Sequence, residues 1–360
     1  MVDNIKIIID PRSGYSYGSM YCYALSVLFG SQRVLYDLKP FIAMPACGNS
    51  MRFIVCREGL KPIKYFLHLN DSYILNEEEY AWCDVYGCVN TNRAFYPQER
   101  FPKLITLAPS FGIRVEKNLI SALYNTTRDL LSDWNSIWNS IEWDKKTQRD
   151  EIHHFANIKH YYTRRYKMWK WRLPLAAYNN CTPSADDYVF FMSTLWYNDE
   201  LNKNDEGVNL RRARFIRACK SIENLQFEGG LLGDDSSSND LFADVLTMKR
   251  IPFTEWIEKT KRSALAFNTP AFWNCHGWKL GEYLALGKCI ISTKLSNDLP
   301  YPLEHGVNIH FVEETEEAMR EAIEYILSHP EYRHKLEHGA KKYWEKYGSP
   351  EGSLRLLGIV

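Results

Sequence analysis

Two kinds of hydrophobic pattern alternate along this chain. From Ile5 to Leu107, and again from Tyr188 to Val312, short apolar runs end in turn residues, as buried strands do. The first series predicts strands at Ile5–Ile9, Arg52–Cys56, Ile63–Leu69 and Leu104–Leu107, a strand-and-turn piece at Cys83–Asn90, and a helix over Met20–Phe29. From Glu116 to about Tyr178 the period changes. Leu119, Ile120, Leu123, Leu130, Leu131, Trp134, Ile137, Trp138 and Ile141 recur at helical spacing, which predicts two or three helices. After a polar linker at Asn179–Asp187, a second series begins. It predicts strands at Tyr188–Met192, Leu225–Glu228, Ala264–Phe267, Cys289–Ser292 and Val307–Val312. Its helices are Asn209–Ser221, Thr254–Arg262 capped by Thr254, Trp278–Leu286, Thr315–Ser328 and Pro330–Tyr347.

Strands alternating with helices imply an α/β class with parallel sheets. The stretch from Ala264 to Leu295 organises the second series. A strand stopped by Asn268-Thr269-Pro270 leads to a loop ending in His276-Gly277. A short helix follows, closed by Gly287, and then a second strand. In such a βαβ unit ligands bind at the carboxyl ends of the strands, beside a helix N-terminus that favours anions. Two α/β halves joined by a linker place a cleft between them, a common small-molecule site.

Composition narrows the classes. The 360 residues allow two domains, and 44 basic residues balance 44 acidic ones, which argues against bulk electrostatic binding of nucleic acid. Nine scattered cysteines with no C-x-x-C pair read as free thiols of a reducing compartment, hence a cytoplasmic location. No G-x-G-x-x-G and no P-loop is present, so nicotinamide, flavin and Walker-type sites lack support. No His/Cys/Asp cluster has ligand spacing, so no metal and no resident cofactor are expected. Residues 158–172 carry basic and aromatic side chains and no acidic one. That segment reads either as a solvated face with basic stems over aromatics or as a peripheral contact with the inner face of a membrane.

Two pieces carry a family resemblance. They are His276-Gly277-Trp278-Lys279-Leu280-Gly281-Glu282-Tyr283-Leu284-Ala285-Leu286-Gly287 and Leu303-Glu304-His305-Gly306-Val307-Asn308. Over its C-terminal half the chain resembles glycosyltransferases of the group 1 type, and the first half matches in pattern only. The resemblance implies the GT-B fold, two Rossmann-like domains with parallel sheets facing a central cleft. Residues 1–180 would form an acceptor-side domain with a helical insertion at about 116–178, and 187–345 a nucleotide-sugar domain. Residues 346–360 would cross back to the first domain.

The resemblance also implies a function: transfer of a sugar from a UDP- or GDP-sugar to a glycan or lipid-linked acceptor, in cell-surface polysaccharide synthesis. Glu282 matches the glutamate that binds the donor's ribose, and a carboxylate suits a vicinal diol. Lys279, Arg212, Arg214, His276 and Gly277 are the expected donor-side contacts, with the cations on the leaving diphosphate. Retaining members carry Glu-x7-Glu; here Asn274 holds the first position, and an amide supplies no charge. An inverting reaction needs a general base, for which Asp10, Asp71 and Asp84 at strand ends or turns are candidates. A nucleotide-sugar epimerase and a non-catalytic carbohydrate- or partner-binding protein are the alternatives on the same scaffold.

Overall fold

The computed structural model describes residues 5–14, 16–138, 142–144, 149–151, 154–179, 183–196, 206–233 and 240–360. The chain folds into two compact units. One comprises Met1–Asn70, Leu75–Gly87 and Gly112–Leu175; the other comprises Asp71–Ile74, Cys88–Phe111 and Ala176–Val360.

The first unit is built on β1 (Ile5–Ile9), α1 (Ser19–Phe29), β2 (Val34–Tyr36), β3 (Met51–Arg57), β4 (Ile63–His68), α2 (Glu77–Trp82) and β5 (Val85–Cys88). Ile5, Ile7 and Ile9 are buried while Lys6 between them is exposed, the period-two signature of a strand. Five strands of a six-stranded sheet fall in this unit, in the order β2-β1-β3-β4-β5; the sixth is Leu104–Thr106. β1 and β2 are parallel because helix α1 crosses between them, but β1 pairs antiparallel with β3 (Ile7 opposite Val55) and β3 with β4. This sheet is therefore mixed, where a parallel one was expected. The short connection after β3, turning at Gly59 (φ 73°), permits only an antiparallel return. Helix α2 escaped the periodicity. Asn76 caps it by accepting from the Glu79 N–H, and three glutamates fill its first turn.

The helical part of the first unit holds α3 (Leu119–Ser132), α4 (Trp134–Trp138) and α5 (His154–Trp171), with a small hairpin of strands 142–144 and 149–151. Asn118 caps α3 by accepting from the Ser121 N–H. A buried ion cluster pins the sheet at its β1 end. Arg52, with no exposure, donates to Asp10 at 2.6 Å and to both oxygens of Glu79. Arg12 clamps the same aspartate from the other side.

From Tyr188 onward the strand pairs of the second unit are parallel. We label its strands β6 (Tyr188–Thr194), β7 (Gln226–Leu232), β8 (Leu246–Thr247), β9 (Ala266–Asn268), β10 (Ile290–Ser292) and β11 (His310–Phe311). Two three-stranded ladders run β8-β7-β6 and β9-β10-β11. β9 lies against β6, and the residues leading into β9 bond to β6: the Ala264 N–H donates to the Tyr188 carbonyl (2.7 Å), and the Phe190 N–H to the Ser263 hydroxyl (2.9 Å). Read across this seam the order is 3-2-1-4-5-6, that of a doubly wound dinucleotide-type sheet. Helices α6 (Glu206–Ser221), α7 (Phe253–Arg262), α8 (Trp278–Leu286), α9 (Glu316–Ser328) and α10 (Pro330–Tyr343) follow the strands, then a π turn at Trp344–Gly348 and α11 (Pro350–Leu356). α7 begins at Phe253 after Pro252, so Thr254 lies inside the helix and does not cap it. Phe191, Phe215 and Phe267 join β6, α6 and β9 in the core, with the last two rings stacked at 4.2 Å.

The unit boundaries differ from the sequence reading in two places. Residues 88–111 belong to the second unit because its loops hold them: the His276 N–H donates to Asn90 Oδ1 (2.7 Å), the Asp298 N–H to the Thr91 carbonyl (2.8 Å), and Phe111 stacks on Trp344 (5.4 Å). Residues 346–360 also stay with the second unit rather than joining the first.

Candidate functional site

The switch point of the second unit's sheet lies between β6 and β9, where the strand order reverses. Ligands in such sheets bind outside the carboxyl ends of those two strands. Helix α8 enters this point. Gly277, extended at φ −69° and ψ 156°, stands at its N-cap and carries no capping side chain. Gly287 ends the helix in the left-handed region (φ 61°), where a side chain would be strained. Gly281 meets a different demand. A Cβ there would lie 2.7 Å from the Pro109 carbonyl oxygen, so only glycine lets α8 pack on that backbone.

Two cations converge on the carboxyl end of β6. Lys279, in the first turn of α8, donates from Nζ to the Met192 carbonyl (2.7 Å) and lies 4.8 Å from the Phe191 ring centre. Arg212 of α6 is buried and donates from Nη1 to the Thr194 carbonyl (3.1 Å). Burial and then the Arg212 charge hold the Lys279 ammonium well below its ordinary pKa, and Glu282 works against them. Glu282 is 4 % exposed and sits one turn along α8 from Lys279. The arrangement is two cations and one buried carboxylate at a helix N-terminus. An arriving anion would relieve the repulsion between the cations.

The loop between β9 and α8 is strained. Trp273 (φ 50°) and Asn274 (φ 58°) both adopt left-handed backbone, costly for a tryptophan. The Asn274 side chain is exposed, while its carbonyl accepts from Asn297 Nδ2 (3.0 Å). His276 is 5 % exposed. Burial pushes its pKa down to about 4, and Nε2 donates to the Asp298 carbonyl (3.3 Å). His276 is therefore a neutral anchor for this loop. Trp196 meets Phe272 edge to face at 4.7 Å beside it.

The three candidate bases have different surroundings. Asp10 is engaged on both oxygens by Arg12 and Arg52 and anchors the ion cluster of the first unit, which leaves it unsuited to take a proton from substrate. Asp84 is exposed and accepts from the Lys64 N–H (2.9 Å) next to β5. Asp71 belongs to the second unit and hydrogen-bonds Cys275 in the β9–α8 loop. Burial raises its pKa, and the thiol bond opposes the rise. The arginine pair also divides. Residues two apart on a helix diverge by about 200°, and Arg214 donates to the Glu314 carbonyl (2.7 Å) instead of turning to β6. Sequence reading missed Asn90, Asn297 and Asp298. They hold the His276 loop from far along the chain, and no local signal marks them.

The first unit has a cavity of its own, about 190 Å³, at the carboxyl end of β1, lined among others by Arg12, Ser13, Asp129, Tyr161 and Arg164. Among the described residues no group of three His, Cys, Asp or Glu side chains gathers to hold a metal.

No protein-family model and no curated protein matches the chain. Solved structures do resemble it. A glycosyltransferase from Rickettsia africae ESF-5 matches at 11 % identity and a TM-score of 0.40, over 79 % of this chain and 66 % of that one. The chain thus spans just under two thirds of that protein's length. Sucrose-phosphate synthase from Thermosynechococcus elongatus matches at 13 % identity and a TM-score of 0.37, over 80 % of this chain and 79 % of that one. Anabaena HepE, solved in complex with UDP-glucose, matches at 10 % identity and a TM-score of 0.33, over 81 % and 98 %. At these values the likeness is remote, and the site stands on its own geometry.

Proposed function

We propose that this protein is a nucleotide-sugar-dependent glycosyltransferase of the GT-B type. One observation carries the reading: Lys279, Arg212 and the start of α8 meet at the switch point of a 3-2-1-4-5-6 parallel sheet, with the buried carboxylate of Glu282 one turn behind. Two cations and a helix N-terminus suit a diphosphate. A buried carboxylate suits the two hydroxyls of a ribose. In this reading the acceptor's hydroxyl oxygen attacks the anomeric carbon while Asp71 takes its proton. The bond from that carbon to the diphosphate oxygen breaks. The electron pair leaves with the diphosphate, whose charge Lys279 and Arg212 hold. Inversion fits an exposed amide, Asn274, where a second carboxylate would stand. The donor is a UDP- or GDP-sugar, and the acceptor is a glycan or lipid-linked sugar of a cell-surface polysaccharide.

The experiment is a thermal-shift panel of UDP, GDP, CMP and dTDP nucleotides, with and without sugars, on wild type and Glu282→Ala. Ligand at a hundredfold excess over Kd adds about 2.7 kcal/mol to native stability. The reading expects one nucleotide to raise the wild-type Tm and to lose that effect in the variant. Absence of any shift across the panel overturns it. Conversion of the donor alone to an isomeric sugar would assign the site to an epimerase instead.

A further inference from the structure

Helix α3 has an apolar stripe that the core of the first unit does not use. It buries Ala122, Thr126, Asp129 and Leu130. On the opposite side Ile120 is 80 % exposed, Tyr124 70 %, Leu131 67 % and Leu123 45 %. Positions 120, 123, 124, 127 and 131 share one helical face. Thr127 is the polar residue among them, and its hydroxyl meets the Tyr162 hydroxyl of α5 at 2.8 Å on the surface. The outward face of α5 therefore abuts the stripe directly.

That face is basic and aromatic. Lys159, Arg164, Lys167 and Lys170 are exposed, and no acidic residue occurs from His154 to Arg172. Tyr166 and Trp171 are also exposed, with Lys167 lying 5.9 Å from the Trp171 ring centre. The carboxylate of α3 nearest in sequence to this stripe, Asp129, is buried between Arg128 and Arg165 and does not offset the lysines. Apolar side chains, lysines and interfacial aromatics on adjoining helices are the makings of a bilayer-surface contact.

We propose that this face of the first unit docks on an anionic lipid bilayer. The α3 stripe enters the boundary between headgroups and acyl chains, the α5 lysines meet lipid phosphates, and Tyr166 and Trp171 lie at headgroup level. A second copy of the chain is the weaker occupant. A two-fold pairing through this face would set the α5 lysines of one copy against those of the other. The inference does not depend on the glycosyl-transfer reading.

Co-sedimentation of the full chain with phosphatidylcholine vesicles, with and without phosphatidylglycerol, tests it. The wild type should sediment with the anionic vesicles and remain in solution with the neutral ones. Each lysine near an anionic surface contributes about 1 kcal/mol, so Lys167→Ala with Lys170→Ala should weaken partition about 30-fold. Ile120→Ser with Leu131→Ser should remove the binding that survives high salt. All four positions are exposed, so unliganded Tm should not move in either variant. Wild type that fails to sediment with phosphatidylglycerol overturns the proposal, as does sedimentation unchanged in both variants. A wild-type dimer in ultracentrifugation that Ile120→Ser dissolves also overturns it, by assigning the stripe to self-association.

Discussion

Replacing Lys279 with methionine separates binding from stability. In the unliganded protein the ammonium donates to the Met192 carbonyl and stands against the Arg212 charge in a half-buried site. Methionine keeps most of the aliphatic stem and removes that repulsion, at the loss of that bond and of a countercharge for Glu282. These terms oppose one another, so unliganded stability should change by no more than about 1 kcal/mol, or about 2–4 °C in a unit of this size. Binding has no such cancellation. A hydrogen bond to a charged group contributes about 1.5–3 kcal/mol, so diphosphate-nucleotide affinity should fall about 10- to 150-fold. The Lys279 pKa is lowered by burial and by Arg212, so the amine loses its proton at a lower pH than a free lysine. Wild-type affinity should therefore decline as pH rises through that lowered value, and the variant should show no such decline. Calorimetric titration with UDP and GDP across pH, beside thermal denaturation of the unliganded proteins, measures both. Equal affinity in variant and wild type would refute the reasoning. So would a large loss of unliganded Tm, which would make Lys279 a structural residue.

Further outcomes follow from individual contacts. Asp71→Asn should lower turnover by about 10²- to 10⁴-fold while leaving nucleotide affinity intact; equal loss of both would exclude it as the base. His276 is held at about pKa 4 in the folded chain against 6.5 ordinarily, so only the unfolded chain gains a proton as pH falls through that window. Stability should drop by about 3 kcal/mol from this group alone, and His276→Asn should flatten that part of the acid denaturation curve. Arg52→Met strands Glu79 in the first unit's interior and leaves Asp10 to Arg12 alone, and should cost about 3–5 kcal/mol in urea denaturation; a loss under about 1 kcal/mol would mean the cluster is not a structural pin. Gly281→Ala sets a methyl 2.7 Å from the Pro109 carbonyl and should lower Tm by displacing α8, with nucleotide affinity falling alongside.

The central helix is legible because its ends are punctuated: Trp278–Leu286 runs between Gly277 and Gly287, and the observed bounds are those the sequence predicts. Lys279 and Glu282 come with it. Periodicity carries no strand direction, so the antiparallel β1–β3 and β3–β4 pairs are invisible in apolar runs. Nor can it rank Asp10, Asp71 and Asp84, all of which follow or precede a strand. Their difference lies in partners far along the chain, such as Arg52 for Asp10 and Cys275 for Asp71. Arg212 and Arg214 look equivalent until the phase of α6 turns one toward β6 and the other toward Glu314. The tie between Asn90 and His276 spans 186 residues, which is why residues 88–111 read as part of the first half yet fold with the second.

The seam between β6 and β9 has a mechanical consequence. Elsewhere in this sheet each strand is stitched to its neighbour by a regular ladder, whereas here no ladder forms among the described residues, and a serine hydroxyl takes the Phe190 amide. A sheet fastened this way should part along that line first. The Phe190 and Ala264 amides should exchange with deuterium sooner than those of the β6–β7 ladder. Lys279 and Arg212 reach the β6 carbonyls of Met192 and Thr194 beside the same line. A ligand drawing those side chains together would act as a clasp across it, and the slowing of exchange at these two amides would register its arrival.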